Sequence, residues 1–379
     1  MRRSTDAILT THTGSLPRPD DLVALLYAQD SENPTDETFL AERVHTAVAE
    51  SVRLQIDSGI DVVNDGEMSK VAYSTYVHMR LTGFESHVEV QRHPRADAAA
   101  FPRYADWDAR HQQSVFRIKR YACTGPVSYV GHSQLQTDIA NLKAALADSP
   151  ATEAFMTAAS PGVISWFQPN QYYPNEADYL QAVAEAMREE YEAIYQSGLI
   201  LQLDCPDLTL SRTVPAGEEV ANGGLRIEAL NHALRNIPPD RMRLHLCWGN
   251  YERPHHTDVP LKDIIHEVLE ARPMGLSFEG ANPRHEHEWN VFESVKLPPD
   301  KVIIPGVLDT TTNYIEHPEL VAQRLIRYAK LVGREQVIAG ADCGFATFAA
   351  DPMVHPDVVF AKLGSMVEGA RLASEALWG

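Results

Sequence analysis

The sharpest chemistry in this sequence sits at His245-x-Cys247. On a β-strand, residues two apart point to the same face, so an imidazole and a thiol at this spacing can converge on one ion. Thiolate and imidazole together prefer zinc among the available metals. A packed core cysteine beside an unrelated histidine gives the same pair, so the pair needs company. Glu279 and Cys343, each ending a later apolar run, supply it. Four such donors complete a tetrahedral zinc site with ligand distances of about 2.0–2.3 Å. The chemistry that follows is thiol activation. A cation stabilises sulfur as thiolate at neutral pH, and the thiolate attacks an electrophilic carbon.

Donors so far apart in the chain must be carried by elements that end at one rim, and a repeated phrase does this. Leu40, Val44, Val48 and Val52 recur every four residues and predict a helix over 36–56; Ser58-Gly59 stops it and Ile60–Val63 begins a strand. Leu180, Val183, Met187, Tyr191 and Ile194 repeat the stripe, Ser197-Gly198 ends it, and Leu199–Leu203 follows as strand. Glycine suits such a stop because it adopts the left-handed conformation without a Cβ clash. Eight strand endings can be read this way: His12–Ser15, Asn64–Glu67, Thr124–Pro126, Leu203–Cys205, Leu244–Cys247, Ser277–Glu279, Gly306–Asp309 and Ala341–Cys343. Alternating strands and helices imply parallel strands with right-handed crossovers. Eight of them fit an α/β fold of the (β/α)8 TIM-barrel type, with the active site at the C-terminal strand ends. We read one domain over 1–379 with an insertion after the second strand, the polar, His/Arg-rich stretch 85–117 containing Pro94 and Pro102. A ninth apolar run, Val163–Phe167, reads as an excursion.

Composition narrows the classes. The 379 residues are 44% hydrophobic and 22% charged, as in ordinary globular proteins. A net charge of −19, from 33 basic and 52 acidic residues, argues against nucleic-acid and anionic-membrane partners. No apolar run approaches the roughly 18 residues of a membrane helix. Met1–Asp6 has charges but no apolar signal region behind it, so a cytoplasmic, reduced protein is expected. Four cysteines in so long a chain do not make a disulfide scaffold, and Cys123 and Cys205 read as free core thiols. No Gly-x-Gly-x-x-Gly or Walker sequence supports nucleotide chemistry.

His245-x-Cys247, Glu279 and Asp342-Cys343-Gly344 together resemble the zinc site of cobalamin-independent methionine synthase, in its C-terminal catalytic barrel. The resemblance runs through most of the chain: His12–Pro17 is similar to that family's first-strand Gly-Ser loop, Asp65-Gly66-Glu67 to its Gly-Glu strand end, Thr124–Val127 to its third-strand turn and Asp204-Cys205-Pro206 to its Asp-Glu-Pro. Epoxyalkane:coenzyme M transferase, a shorter relative with similar zinc chemistry, matches the single-barrel length better; methionine synthase carries an additional N-terminal barrel. The resemblance implies Zn2+ held by His245, Cys247, Glu279 and Cys343, with Glu279, the hardest donor, yielding to substrate sulfur. It places Glu67 and Asp204 where the family holds the amino group of homocysteine, and Gly14 and Ser15 at its carboxylate-side backbone contacts. Two carboxylates at strand ends also suit a cationic ligand, since burying them unpaired costs several kcal/mol.

The implied activity is transfer of a methyl or alkyl group to a small-molecule thiol through a zinc-bound thiolate, of the 5-methyltetrahydropteroyltriglutamate–homocysteine S-methyltransferase type. Two positions depart from the family. Its folate-stacking Trp aligns with His132, and its leaving-group His aligns with Thr311, which puts a methylfolate donor in doubt because an amine anion leaves poorly without an acid. The alternative donor is an epoxide opened by coenzyme M, for which His132, Tyr73 or Tyr76 would supply the proton and Arg18, Lys70 or Arg284 would clamp the sulfonate. Arg284–Glu288 imitates a metal cluster but reads as ion-paired support for the site, and His255-His256 as a loop at its mouth. A zinc hydrolase and a non-catalytic zinc barrel are the more remote readings; cysteine-rich ligation disfavours the first and polar strand tops the second. Self-association into a homo-oligomer stays open.

Overall fold

Each apolar run that follows a glycine turn becomes a buried strand. The computed structural model describes residues 1–379 apart from 32, 34, 87–96, 98–99, 112–118, 148 and 211–222. Its strands are β1 (Val62–Val63), β2 (Phe84–Glu85), β3 (Ala122–Cys123), β4 (Glu153–Ala159), β5 (Ile200–Asp204), β6 (Met242–His245), β7 (Gly275–Phe278), β8 (Val302–Leu308) and β9 (Gly340–Ala341). Seven of them form one parallel sheet in the order β1-β4-β5-β6-β7-β8-β9. The eighth stave is the segment at Thr10–Thr11, which bridges both edges: Thr11 pairs with Val62 and Thr10 with Ala339, each in parallel. The sheet therefore curls onto itself as a TIM-type barrel, as the alternation of helices and strands implies.

The predicted helices form where their caps and stripes demand. Asp36 accepts from the amides of Thr38 and Phe39 and starts the helix Glu37–Asp57, which buries Leu40, Val44, Val48 and Val52. Asn175 does the same for Glu176–Gln196, which buries Leu180, Val183, Met187, Tyr191 and Ile194. Inside the barrel, Val62, Phe155 and Ile200 make an apolar floor against which Met1 packs. A second apolar cluster, Met274, Val302, Ile304 and Ile338, also packs against Met1, together with Leu9. Among the described residues no helix is long and apolar enough to cross a membrane.

One strand expectation needs correction. The run ending at Thr124–Pro126 is not a barrel stave: Ala122–Cys123 pairs antiparallel with Phe84–Glu85 in a separate two-stranded sheet. The third stave is Glu153–Ala159, bonded to Val62–Val63 on one side and Ile200–Asp204 on the other. Val163–Phe167, read as an excursion apart from the eight strands, lies in the helix Pro161–Phe167, with Ser160 capping the amide of Val163 and Pro161 in the first turn. Proline fits there because its missing N–H is one the helix start leaves unpaired. Much of 85–117 lies outside the described residues; within it Pro102–His111 is helical.

Candidate metal centre and substrate pocket

Strand alternation builds the site in layers. Arg243 and His245 share the inward face of β6, and Cys247 continues that face two residues on. In the neighbouring β5, Gln202 pairs with Arg243 and Asp204 with His245. His245 pairs on its other side with Ser277 of β7. Glu279 follows immediately after β7, and Cys343 lies just beyond β9.

The sulfurs of Cys247 and Cys343 are 3.1 Å apart. One donor atom each from His245, Cys247 and Cys343 lies within 4.8 Å of the others, and all three residues are buried. Nδ1 of His245 is 3.1 Å from Ser277 Oγ, whereas its Nε2 is buried with no hydrogen-bond partner. An imidazole that spends its N–H on a hydroxyl keeps a lone pair on the other nitrogen, which is how metal-binding histidines are oriented. Burial holds the ring neutral, with its pKa lowered to about 3, so that lone pair is available. An orphaned, buried nitrogen beside two thiols fits a cation of the zinc class.

Glu279 does not fall within that triad's mutual distance but stands beside it. Its Oε1 accepts from the Trp248 amide at 2.7 Å and its Oε2 from Asn282 Nδ2 at 2.8 Å. Burial, then the Cys247 thiol, pushes its pKa well above the ordinary carboxylate range. The Glu279 turn is held by Asp342, whose carboxylate accepts from the amides of Gly280, Ala281 and Asn282 at 2.7–2.8 Å. His285 sits between Asp258 (3.2 Å) and Glu288 (2.8 Å) and stacks on Trp248 with centroids 4.4 Å apart. Burial opposes its charge, but the two carboxylates outweigh that and lift its pKa to about 10. The 284–288 stretch thus carries ion-paired support behind Trp248. His287 is exposed, and His256, also exposed, meets the edge of Phe101.

Below the sulfurs lie the two carboxylates. Glu67 has a φ of 58°, a left-handed backbone that non-glycine residues rarely adopt and that marks functional turns. Its Oε1 accepts from Thr157 Oγ1 at 2.6 Å, while its Oε2 is buried without a hydrogen bond, 3.6 Å from Arg18 Nη2. Asp204 Oδ1 accepts from Gln202 Nε2 at 2.7 Å. Burial, then Glu67, raises the Asp204 pKa to about 8. Gly14, at φ 137°, packs beside the first of these carboxylates: a Cβ there would stand 2.7 Å from Thr157 Cγ2 and 3.6 Å from Glu67 Oε1. The Ser15 carbonyl accepts from the amide of Phe345, two residues beyond Cys343.

The remaining predicted residues divide. Tyr73 stands at the pocket, its ring edge-on to Phe167 at 5.9 Å and Phe348 at 6.2 Å, with no hydrogen bond to its hydroxyl among the described residues. Burial and then the Cys247 and Cys343 thiols keep that hydroxyl protonated, its pKa well above 10. Tyr76 is committed elsewhere, since its hydroxyl donates to Glu190 Oε1 at 2.7 Å. His132 is exposed in the first turn of the helix His132–Ala145, 3.4 Å from Glu189 and edge-on to Tyr129, in the outer layer. Arg18 cannot clamp an anion as expected, because its buried guanidinium donates to the carbonyls of Leu16, Glu67, Lys70 and Ala346. Lys70 is likewise spent, on the carbonyl and hydroxyl of Thr157 at 2.8 and 2.9 Å. Arg284 is exposed, near the carbonyl of His256. Thr311 gives both its amide and its hydroxyl to Asp309 Oδ1 at 2.9 Å.

Sequence reasoning passed over Gln202, Arg243, Thr157 and Ser277. The signal for them was alternation: polar residues at the inward positions of otherwise apolar strands.

No protein-family model matches the chain. Over 374 residues it is 25% identical to a methionine synthase of Saccharolobus islandicus (strain L.S.2.15 / Lassen #1), covering 97% of this chain and 95% of that protein. A Sulfolobus acidocaldarius methionine synthase is also 25% identical, over 377 residues, 97% of this chain and 93% of that one. A B12-independent methionine synthase of Shewanella sp. W3-18-1, solved in complex with selenomethionine, shares the fold with a TM-score of 0.73 at 18% identity, covering 98% of this chain and 99% of that one. A putative vitamin-B12 independent methionine synthase of Listeria monocytogenes superposes with a TM-score of 0.66 at 17% identity, covering 98% and 99%.

Proposed function

Because the chain belongs to the cobalamin-independent methionine synthase family, we propose that it transfers a methyl group to the thiol of a small α-amino thiol of the homocysteine type. The observation that carries this reading is the pairing of two half-finished sites. His245 Nε2 lies orphaned beside the sulfurs of Cys247 and Cys343, and in the same barrel interior Glu67 Oε2 is buried without a hydrogen bond, 3.6 Å from Arg18, while Asp204 is held through Oδ1 alone, by Gln202. The first suits a thiophilic cation, the second an ammonium.

His245, Cys247 and Cys343 would hold Zn2+, with Glu279 as the neighbouring fourth donor. When bound, that ion stabilises a deprotonated sulfur at neutral pH. The chain's own groups do the rest. Glu67 and Asp204 receive the substrate ammonium, and the Gly14–Ser15 turn lies at the carboxylate side. Tyr73, Phe167 and Phe348 form the wall next to the thiols and exclude water from the reacting sulfur. In the overall exchange the sulfur–carbon bond forms as the bond between carbon and the donor's leaving group breaks, and the thiol proton is released.

The donor class is the finer question. Thr311 is tied to Asp309 and offers no titrating group to a departing folate nitrogen. The epoxide branch loses Arg18 and Lys70 as sulfonate clamps, which favours the methyl-transfer reading. The test is metal content together with activity. Purified protein should carry about one zinc per chain and methylate homocysteine from 5-methyltetrahydropteroyltriglutamate or another methyl donor in a panel that also offers coenzyme M, glutathione and epoxides. Cys247→Ser and Cys343→Ser should lose zinc and activity together. Activity that survives both substitutions would exclude the reading.

A further inference from the structure

The barrel interior beneath Asp204 holds a polar chain that the reaction as described leaves unused. Gln202 and Arg243 are both buried, on adjoining strands and in direct register. Arg243 Nε donates to Gln202 Oε1 at 2.7 Å, and its other nitrogens donate to Thr11 Oγ1 at 2.9 Å and to the carbonyl of His12 at 2.6 Å. Its guanidinium also lies 3.5 Å over the Phe155 ring, so the arginine is fixed on every side. Guanidinium has no acceptor. The Gln202 amide must therefore turn its oxygen to Arg243 and its NH2 upward; the reverse orientation would set donor against donor. That NH2 donates to Asp204 Oδ1 at 2.7 Å and to the carbonyl of Thr13, the residue before Gly14. One side chain thus joins both halves of the substrate pocket, the acid for the ammonium and the turn for the carboxylate.

We propose that Gln202, oriented by Arg243, is the positioning residue that makes the pocket select an α-amino thiol over a thiol lacking the amine. It occupies Asp204 Oδ1, which leaves Oδ2, without a partner among the described residues, as the oxygen turned to the ligand. It also fixes the spacing between Asp204 and the Gly14–Ser15 turn. A hydroxyl or apolar group at 202 would leave Asp204 free to rotate, and the carboxylate would meet the ammonium in no single geometry. This inference rests on the amino-thiol reading proposed above, and its test separates the two.

The protein as isolated is titrated calorimetrically with homocysteine and with 4-mercaptobutanoate, the same thiol acid without the amine. Wild type should bind homocysteine more tightly. Gln202→Met should lower homocysteine affinity by about tenfold to a hundredfold, the scale of a hydrogen bond to a charged group, and lower 4-mercaptobutanoate affinity much less, since that ligand meets only the Gly14–Ser15 turn. Gln202→Glu keeps a partner for Arg243 and so protects the fold, and it should show the same selective loss because it offers Asp204 no amide. Equal losses for both thiols, or no loss, would overturn the positioning role. Asp204→Asn distinguishes the failures. If it abolishes the preference while both Gln202 variants keep it, only the role of Gln202 falls. If it leaves the preference intact, or if wild type shows none, the amino-thiol reading falls and the inference with it.

Discussion

Replacing Ser277 by alanine should loosen the metal site without touching any metal-binding atom. The hydroxyl of Ser277 is the partner of His245 Nδ1 at 3.1 Å, and both residues are buried. With the hydroxyl gone, the imidazole has two options. It can keep its proton on Nδ1, now buried without an acceptor, at a cost of about 1–3 kcal/mol. Or it can move the proton to Nε2, the nitrogen that faces the thiols, and lose the lone pair a cation needs. Either way the bound state is penalised. Partners of this kind typically govern metal affinity by about tenfold to a hundredfold, which corresponds to about 1.4–2.7 kcal/mol. Serine to alanine removes one buried oxygen and leaves no cavity that would unsettle the barrel. The assay is competition for zinc against a chromophoric chelator, run on wild type, Ser277→Ala and Ser277→Thr. Alanine should weaken affinity within that range, and threonine, which keeps the hydroxyl, should restore most of it. An alanine variant with wild-type affinity would refute the orientation of His245 argued here.

Two further outcomes follow from buried charge elsewhere. Glu190 is fully buried and accepts from Tyr76 at 2.7 Å and Tyr129 at 2.8 Å beside Arg80 at 3.1 Å, so Glu190→Gln should destabilise the fold by about 3 kcal/mol in urea unfolding; a loss near zero would contradict a structural role for this cluster. His285 has its pKa raised from 6.5 to about 10, so its contribution to stability is complete below about pH 6.5 and disappears as pH climbs through 10. His285→Gln should therefore lose most stability relative to wild type near pH 6, with the two proteins converging near pH 10; a gap independent of pH would count against the imidazolium.

The architecture was legible because it repeats. Helical stripes ending at Gly59 and Gly198 announce strands, and the polar residues after those strands announce a rim. The third stave was misread because Glu153–Ala159 ends in Ser160-Pro161 and lacks the ionisable strand end that marks its neighbours. The run at Ala122–Cys123 ends in the turn-forming Thr124-Gly125-Pro126, as a stave would, but pairs outside the barrel. Two-residue spacing made His245 and Cys247 readable as a pair on one strand face, but a packed cysteine beside a chance histidine gives the same pair, and Cys343 joined them only through its place at a later strand end and the family resemblance. Arg18, Lys70 and Tyr76 were not readable: a lone cation or phenol in sequence says nothing of whether a carbonyl, Thr157 or Glu190 has already claimed it. The layer beneath the site was hidden for a related reason. Gln202 and Arg243 interrupt apolar strands, and only register shows that they face each other.

The proposed chemistry needs a cation gathered by His245, Cys247 and Cys343, and metal-edge X-ray absorption of the purified protein tests for it most directly. The predicted spectrum contains two sulfur neighbours at about 2.3 Å and lighter nitrogen or oxygen neighbours at about 2.0–2.2 Å, with a third sulfur after homocysteine is added. A protein that binds no such metal, or one whose metal is surrounded only by nitrogen and oxygen, would contradict it.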